Sequence, residues 1–471
     1  MSTSPLDDLI RSQFPDVSVD KALARSISAG ERAIPDFVRD WLISRYTTDG
    51  KPDVSRIAQF IQAHLPDKQQ ANALKSRLLG SDTLTVLDQY SVEVSLEQGR
   101  HILKIPSLDI FNAYVAESIV RDHPLLLVGS VWGAGKLAGR PDPDREHRVQ
   151  IWMDQFRPMQ TSVVDLDYFV RQRPTFTSSQ WRELLIRSMG YAPEAYTPDQ
   201  QLWMLARLVP LVQPRLNLIE LAPKGTGKSY VFSQLSKSAW LISGGVVTRA
   251  QLFYNMSTKT SGVITKYDAI ILDEVQTIRL ADEGEIIGGM KGYLESGEFR
   301  VMGFKGSADA GMVLLANIPV MSDGRPRDKV FFDVLPSWLR GVGATALLDR
   351  FHGLVPGWEL PRIKKSCLAR GMGLRADYLG EVLHLLRLRE EYTSYVKDHL
   401  RTSGDLRDIT AVQRIAAGLL RLLFPDLTTV TLDDFAQYCV GPAKQLRAAI
   451  RSQMALIDSE YSPALAEIEA T

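Results

Sequence analysis

Apolar residues recur at helical spacing through the first 80 positions. Leu6, Leu9, Ile10 and Phe14 form one such set, and Phe37, Val38, Trp41, Leu42 and Tyr46 form another. From about residue 83 the period shortens. "YSVEVSL" alternates Tyr90, Val92, Val94 and Leu96 with polar neighbours, the pattern of a half-buried strand. "HILKI", "LLLVGSVW" and "HRVQIWMDQF" predict further strands, with a short helix around 115–122. Residues 1–80 are therefore expected to be helical. Residues 81–165 are expected to form a β-rich domain, for which an OB-like barrel is one candidate.

A polar stretch, "RQRPTFTSSQ", and helical segments then lead into "LNLIEL" at 216–221. From there short apolar runs alternate with helical ones: "AWLISGG", "YDAIILDEV", "GMVLLANIPV" and "HGLVPGW". That rhythm predicts an α/β region with a mostly parallel sheet over residues 166–360. Beyond about 375 the pattern is helical again ("YLGEVLHLLRLREEYTSYV", "AVQRIAAGLLRLLF"), so 361–471 reads as a helical lid and tail.

Composition narrows the function classes. At 471 residues the chain is long enough for roughly two to four domains. Lys and Arg number 55 and so do Asp and Glu, so no global field draws the protein to nucleic acid. A nucleic-acid surface would have to be a local basic patch. Two cysteines, Cys367 and Cys439, stand far apart, which argues against a disulfide framework or a zinc site. The N-terminus lacks a signal-peptide core, and no apolar run approaches the ~18 residues that would span a membrane. A cytoplasmic, soluble protein with no membrane partner is expected.

Two stretches approach the phosphate-loop pattern. In "GSVWGAGKLAG" (129–139), Ser130 stands where the first glycine belongs. Leu137 follows the lysine and offers no oxygen to a magnesium ion. It reads as a glycine-rich turn between strands, after a strand "PLLLV". In "APKGTGKS" (222–229) the context fits, with a strand before and a helix after. Lys224, Gly225, Thr226 and Gly227 would wrap the phosphates with backbone N–H groups at a helix N-terminus. Lys228 would reach the β- and γ-phosphates of ATP, and Ser229 would ligate Mg²⁺. Ala222 replaces the pattern's first glycine, which is harmful only if φ is positive there.

A second segment strengthens that reading. "YDAIILDEV" predicts a buried parallel strand ending in Asp273 and Glu274, which places both acids where ligands collect on such sheets. Asp273 would hold Mg²⁺ through water, and Glu274 would polarise the attacking water. The bland alternative for either segment alone is a surface turn or a pair of solvated acids.

The order of these segments resembles AAA+ ATPases. That resemblance implies that Asn317, ending "GMVLLAN", is a sensor for the γ-phosphate or attacking water. It implies that Arg350 is a finger reaching a neighbouring subunit's site. Arg414, seven residues before Arg421, is implied as the second sensor at the nucleotide, with Arg407 as the alternative. "MKGYLESGEFRVMGFKGSADAGMVLLAN" (290–317) further resembles the pre-sensor hairpin of the MCM-type helicase clade.

More closely, "LAPKGTGKSYVFSQLSKSAWLISGG", "QLFYN", "GYLESGEF", "DRFHGLVPGWELPR" and "ITAVQRIAAGLLRLLFP" resemble the BrxL family. These are Lon-like AAA+ proteins of BREX phage-exclusion systems, and the similarity runs from residue 5 to about 450. It implies an AAA+ ATPase with ATP and Mg²⁺ as cofactors. It also implies a hexameric or heptameric homo-oligomer, with stacked double rings as a further arrangement. Double-stranded DNA in the ring channel and other BREX components are the implied partners. Lys305 and Arg300 on the pre-sensor hairpin, and Lys259 and Lys266 on a second one, are the implied DNA contacts. Family members usually carry Gly at position 222, and many continue into a Lon-like protease domain. This chain stops soon after the lid, so no protease dyad is expected in it. Two other classes compete: a protein-remodelling AAA+ machine, and a nucleotide-gated scaffold with little hydrolysis.

Overall fold

The computed structural model describes residues 4–26, 34–48, 51–80, 82–142, 149–159, 164–235 and 237–471. They fall into two compact units, residues 1–164 with 371–378, and residues 165–370 with 379–471. Among the described residues no helix is long and apolar enough to cross a membrane.

In the first unit the N-terminal periodicity becomes short helices. Pro5–Gln13 starts from a Ser4 capping box and buries Leu6 and Ile10. Asp36–Arg45 buries Phe37, Val38 and Leu42. A buried Asp40 accepts from Lys21 Nζ at 2.7 Å and from the Ala376 amide at 3.0 Å, which ties residues 371–378 to this unit. The short strand Ser18–Asp20 pairs with Met372–Leu374 for the same result.

The alternating segments close into a five-stranded barrel: β1 (Thr83–Ser95), β2 (Arg100–Ile105), β3 (Ile110–Val115), β4 (Val131–Pro141) and β5 (Val149–Pro158). Its order is β1-β2-β3-β5-β4, with β3 and β5 parallel and β4 closing onto β1. Val86, Tyr90, Leu103, Ala113, Leu137 and Met153 fill it.

Two expectations fail here. "LLLV" is one helical turn, Leu125–Val128, since a short apolar run suits a buried helix as well as a strand. "GSVWGAGKLAG" is mostly strand β4, not a turn. Its glycines exist for close packing: a Cβ on Gly133 would meet Phe156 at 2.5 Å, and one on Gly135 would meet Tyr90 at 2.6 Å.

The second unit is built on a parallel sheet of β6 (Leu218–Ala222), β7 (Ala239–Ser243), β8 (Ala269–Asp273), β11 (Gly311–Asn317) and β12 (Gly353–Pro356). An antiparallel hairpin, β9 (Glu298–Val301) with β10 (Phe304–Ser307), lies in sequence between β8 and β11. The sheet order is β7-β8-β11-β6-β12, so β11 is central and β6 lies inside the sheet between β11 and the edge strand β12. Every residue of β6 and β8 is buried, as expected for strands covered on both faces. Of the helices that matter below, α1 is Lys228–Leu235, α2 Glu283–Ser296, α3 Leu406–Leu423 and α4 Gly441–Ile457. α3 packs on α4, and α4 packs on β12.

Candidate active site

β6 ends at Ala222, and the chain turns through Pro223–Gly227 before α1 begins at Lys228. The question at Ala222 resolves simply. It is a fully buried strand residue outside the set with positive φ, so alanine carries no backbone strain. Left-handed backbone falls instead on Gly225 (φ 81°) and Gly227 (φ 75°), both glycines of the motif. Gly227 has a second reason to lack a side chain. A Cβ there would lie 2.4 Å from both Ile363 Cδ1 and Tyr191 Oη. Lys224 and Gly225 are exposed, and Thr226 is buried.

Three of the expected polar groups meet at the carboxyl edge of the sheet. Lys228 is 7% exposed, and its Nζ donates to Asn317 Oδ1 at 2.7 Å. Asn317 pairs in register with Ala222, which sets the sensor beside the loop. Burial pulls the Lys228 ammonium below its usual pKa, against the opposing pull of Glu220 and Asp273. Asp273 ends β8 two strands from β6, and its Oδ1 accepts from the Glu274 amide at 2.9 Å. Glu274 itself is exposed and left-handed (φ 49°), an unusual backbone for a side chain with a Cβ. That kink turns the chain out of the strand line directly after Asp273. Ser229 follows Lys228 in the first turn of α1.

The arginines lie elsewhere. Arg414 Nη1 donates to the Arg215 carbonyl at 2.8 Å and lies 3.3 Å from His352 Nε2. Arg215 precedes β6 and His352 precedes β12, so Arg414 sits at the amino edge of the sheet. The phosphate loop is at the other end of β6, about 16 Å away for five residues of strand. The expectation that Arg414 contacts the nucleotide is therefore corrected for a single chain: parallel strands put the two groups at opposite edges. Arg350 shares that edge, with Nε 2.9 Å from Glu295 Oε2. Arg407, the alternative sensor, pairs with Asp349 at 2.8 Å and Glu295 at 3.3 Å. Together these groups line a cavity of about 170 Å³. Burial, helped by Arg215, draws the Arg414 guanidinium down to about 10. Among the described residues it has no ion-pair partner. Arg421 is buried, donating to the Leu386 and Arg389 carbonyls, and belongs to the helix packing.

Three of the four candidate DNA contacts lie on two hairpins, and the expectation that Lys266 shares the second one is corrected, since that hairpin ends at Ser261. Arg300 and Lys305 are directly opposed across β9–β10, and both are exposed. Their connecting residues, Met302 (φ 44°) and Gly303 (φ 88°), make the left-handed two-residue turn such hairpins favour. Lys305 also reaches Glu298 at 3.1 Å. The second hairpin joins Tyr254–Asn255 to Thr260–Ser261, with exposed Lys259 in its turn. Tyr254 stacks on Phe304 at 3.8 Å, which holds the two hairpins together. Lys266 is exposed after a short 3₁₀ turn, Val263–Thr265.

A buried pair beneath the loop was not anticipated. Arg207 and Glu220, 1% and 2% exposed, form a two-point ion pair at 2.5 and 3.1 Å. The signal was present: Glu220 is a lone acid inside the apolar strand "LNLIEL", and a buried carboxylate needs a cation. Its partner, 13 residues earlier on no recognisable motif, carried none.

A parallel sheet of this order, with a phosphate loop after an interior strand and an acid pair two strands away, defines a P-loop ATPase core of the AAA+ type. The chain belongs to the BrxL family. Residues 151–467 match the family model described as "Lon-like protease BrxL-like, ATPase domain", and residues 12–138 match "BREX system Lon protease-like protein BrxL N-terminal". It is 30% identical over 424 residues to a Lon-like protease BrxL from Bacillus cereus (strain H3081.97), covering 88% of this chain and 62% of the relative. It is 27% identical over 456 residues to the Lon-like protease BrxL of Escherichia coli O9:H4 (strain HS), covering 95% and 64%. The chain thus spans less than two thirds of the length of either relative.

Proposed function

We propose that this protein hydrolyses ATP with Mg²⁺ as a ring of identical subunits on double-stranded DNA, in the cytoplasm, within a BREX-type phage-exclusion system. The observation that carries the catalytic part is the 2.7 Å bond from Lys228 to Asn317 at the loop, on a sheet edge that also bears Asp273 and Glu274. Lys228 would draw charge from the β- and γ-phosphates, and Asn317 and Glu274 would orient water in line with the γ-phosphorus. The residues fit Mg²⁺, because Ser229 and Asp273 supply hard oxygen donors. Among the described residues no group of three or more His, Cys, Asp or Glu could hold a metal unaided, which suits an ion that completes its shell with phosphate and water oxygens. When bound, the ion would neutralise charge developing on the phosphate oxygens.

The far-edge arginines support assembly. Arg350 and Arg414 stand about 16 Å from their own loop, so a neighbouring subunit's nucleotide is the phosphate they can serve. In keeping with the family resemblance, the proposed ring has six or seven subunits, with a stacked double ring and contacts to other BREX components as further levels. DNA is the partner that suits the hairpins. Arg300 and Lys305 flank the tip, while the aromatic Phe304 is committed to Tyr254 and does not project as a polypeptide-gripping group. A few cations per subunit become a large charge when repeated around a channel. The barrel's strand order, with a helix between its third and fourth strands, supports an OB-type assignment. α3 and α4 then serve as the lid.

Steady-state phosphate release tests the catalytic reading. Lys228→Ala is expected to lose nucleotide binding. Glu274→Gln is expected to bind ATP and turn over at least ~100-fold more slowly. Wild-type turnover in both variants would remove the site from the reaction.

A further inference from the structure

We propose that Arg207 and Glu220 are positioning residues for the phosphate loop: their buried ion pair holds a loop carbonyl inward so that the loop's amides face the phosphates. The inference rests on the nucleotide-binding reading above and adds two residues to it.

The geometry comes from the carbonyls. Three successive loop carbonyls accept hydrogen bonds from outside the loop. Gly225 O accepts from the Ile363 amide at 2.8 Å. Thr226 O accepts from Arg207 Nη1 at 3.3 Å, and Gly227 O accepts from Tyr191 Oη at 3.2 Å. A trans peptide is planar, with its C=O and the following N–H pointing in opposite directions. Turning these three carbonyls toward the protein body therefore turns the amides of Thr226, Gly227 and Lys228 the other way. Successive N–H groups on one side of a turn make an anion-binding concavity.

Arg207 is the brace that the protein has invested in most heavily. Ile363 donates from a backbone amide and Tyr191 from a neutral hydroxyl. Arg207 brings a charge into a site where it is 1% exposed, and holds it with Glu220 on two nitrogens. With Nε and Nη2 held by Glu220, which sets the guanidinium plane, Nη1 donates to Thr226 O at 3.3 Å and to Met204 Sδ at 3.3 Å, so the fork reaches the loop. Burial alone would weaken the Arg207 charge, and the Glu220 carboxylate more than restores it. Glu220 also acts on Lys228 and is the largest charge favouring its protonated form. A buried ion pair is poor value as a stabiliser, since an apolar pair of similar volume often does as well or better. Orienting the loop gives it a function that an apolar pair could not supply.

The test is a titration with a fluorescent ATP analogue alongside phosphate release and a thermal melt. The proteins are wild type, Lys228→Ala, the double variant Arg207→Met/Glu220→Leu, and Arg207→Lys. The double variant removes both buried charges together, so neither is left unpaired. It is expected to melt near wild type while binding the analogue about 10- to 100-fold more weakly, with kcat changed less than KM. Arg207→Lys keeps the charge but loses the planar fork, and its affinity is expected to fall between the two. If the double variant does not fold, Arg207→Lys decides alone: weakened binding supports the role and wild-type binding overturns it. A folded double variant with wild-type affinity overturns the positioning role and leaves the nucleotide site standing. Wild-type protein that takes up no analogue overturns both readings.

Discussion

Ala222 ends β6 with its methyl against Gly357. A Cβ on Gly357 would lie 2.6 Å from the Ala222 Cβ, 2.7 Å from Glu220 Oε1 and 3.0 Å from the Leu221 carbonyl. The tolerance for alanine at the start of the loop is therefore matched by a glycine 135 positions later. Gly357→Ala is expected to destabilise the protein by about 1–3 kcal/mol through overpacking, read as a lowered melting temperature. Part of that loss should return in the Ala222→Gly background, because the two side chains share one space. Strictly additive effects would show that they do not. At this scale Gly225, Gly227, Lys228, Asp273 and Asn317 were legible in the sequence because each is bound to a local pattern: loop spacing, or the last residue of an apolar strand. Arg207 and Gly357 were not, since what they do depends on a partner far along the chain. The edge of the sheet that Arg414 meets was not legible for the same reason. Helical spacing reports a face of α3, and cannot report which edge of the sheet that face meets.

The β9–β10 hairpin owes its register to the Met302–Gly303 turn and to Phe299 and Val301 packing inward. That packing leaves Arg300 and Lys305 on the opposite face, one across from the other. With Glu298 beside Lys305, a single charge reversal changes the hairpin's field strongly. Lys305→Glu is expected to weaken duplex DNA binding at least ~10-fold at low salt and to flatten the dependence of affinity on salt. Fluorescence anisotropy across a salt series checks both. A wild-type affinity that does not fall with salt, together with an unaffected Lys305→Glu, would remove the hairpin from DNA recognition. Elements whose signal is local were read correctly: the five strands of the parallel sheet and the short helices near the N-terminus, whereas this hairpin was expected only from resemblance. Elements defined by distant pairing were missed. Ser18–Asp20 finds Met372–Leu374 across most of the chain, and strand β4 looks like a turn because a small barrel needs glycine on its inner face.

At the scale of the whole molecule, a net charge of zero coexists with local basic hairpins and with two arginines placed at the sheet edge opposite the phosphate loop. The chain holds the loop, the acids and Asn317 at the carboxyl edge of its sheet, and Arg350 and Arg414 at the amino edge. On the proposed function, two copies complete one site. The direct measurement is phosphate release by Lys228→Ala, by Arg350→Ala, and by a 1:1 mixture of the two. Each variant alone is expected to be nearly inactive, the first for lack of ATP binding and the second for lack of the neighbour's arginine. In mixed rings an intact loop on an Arg350→Ala subunit meets an intact Arg350 on a Lys228→Ala subunit, so the mixture should regain a substantial fraction of wild-type turnover. A mixture no more active than its parts, or an Arg350→Ala variant that hydrolyses ATP at the wild-type rate, would contradict the account.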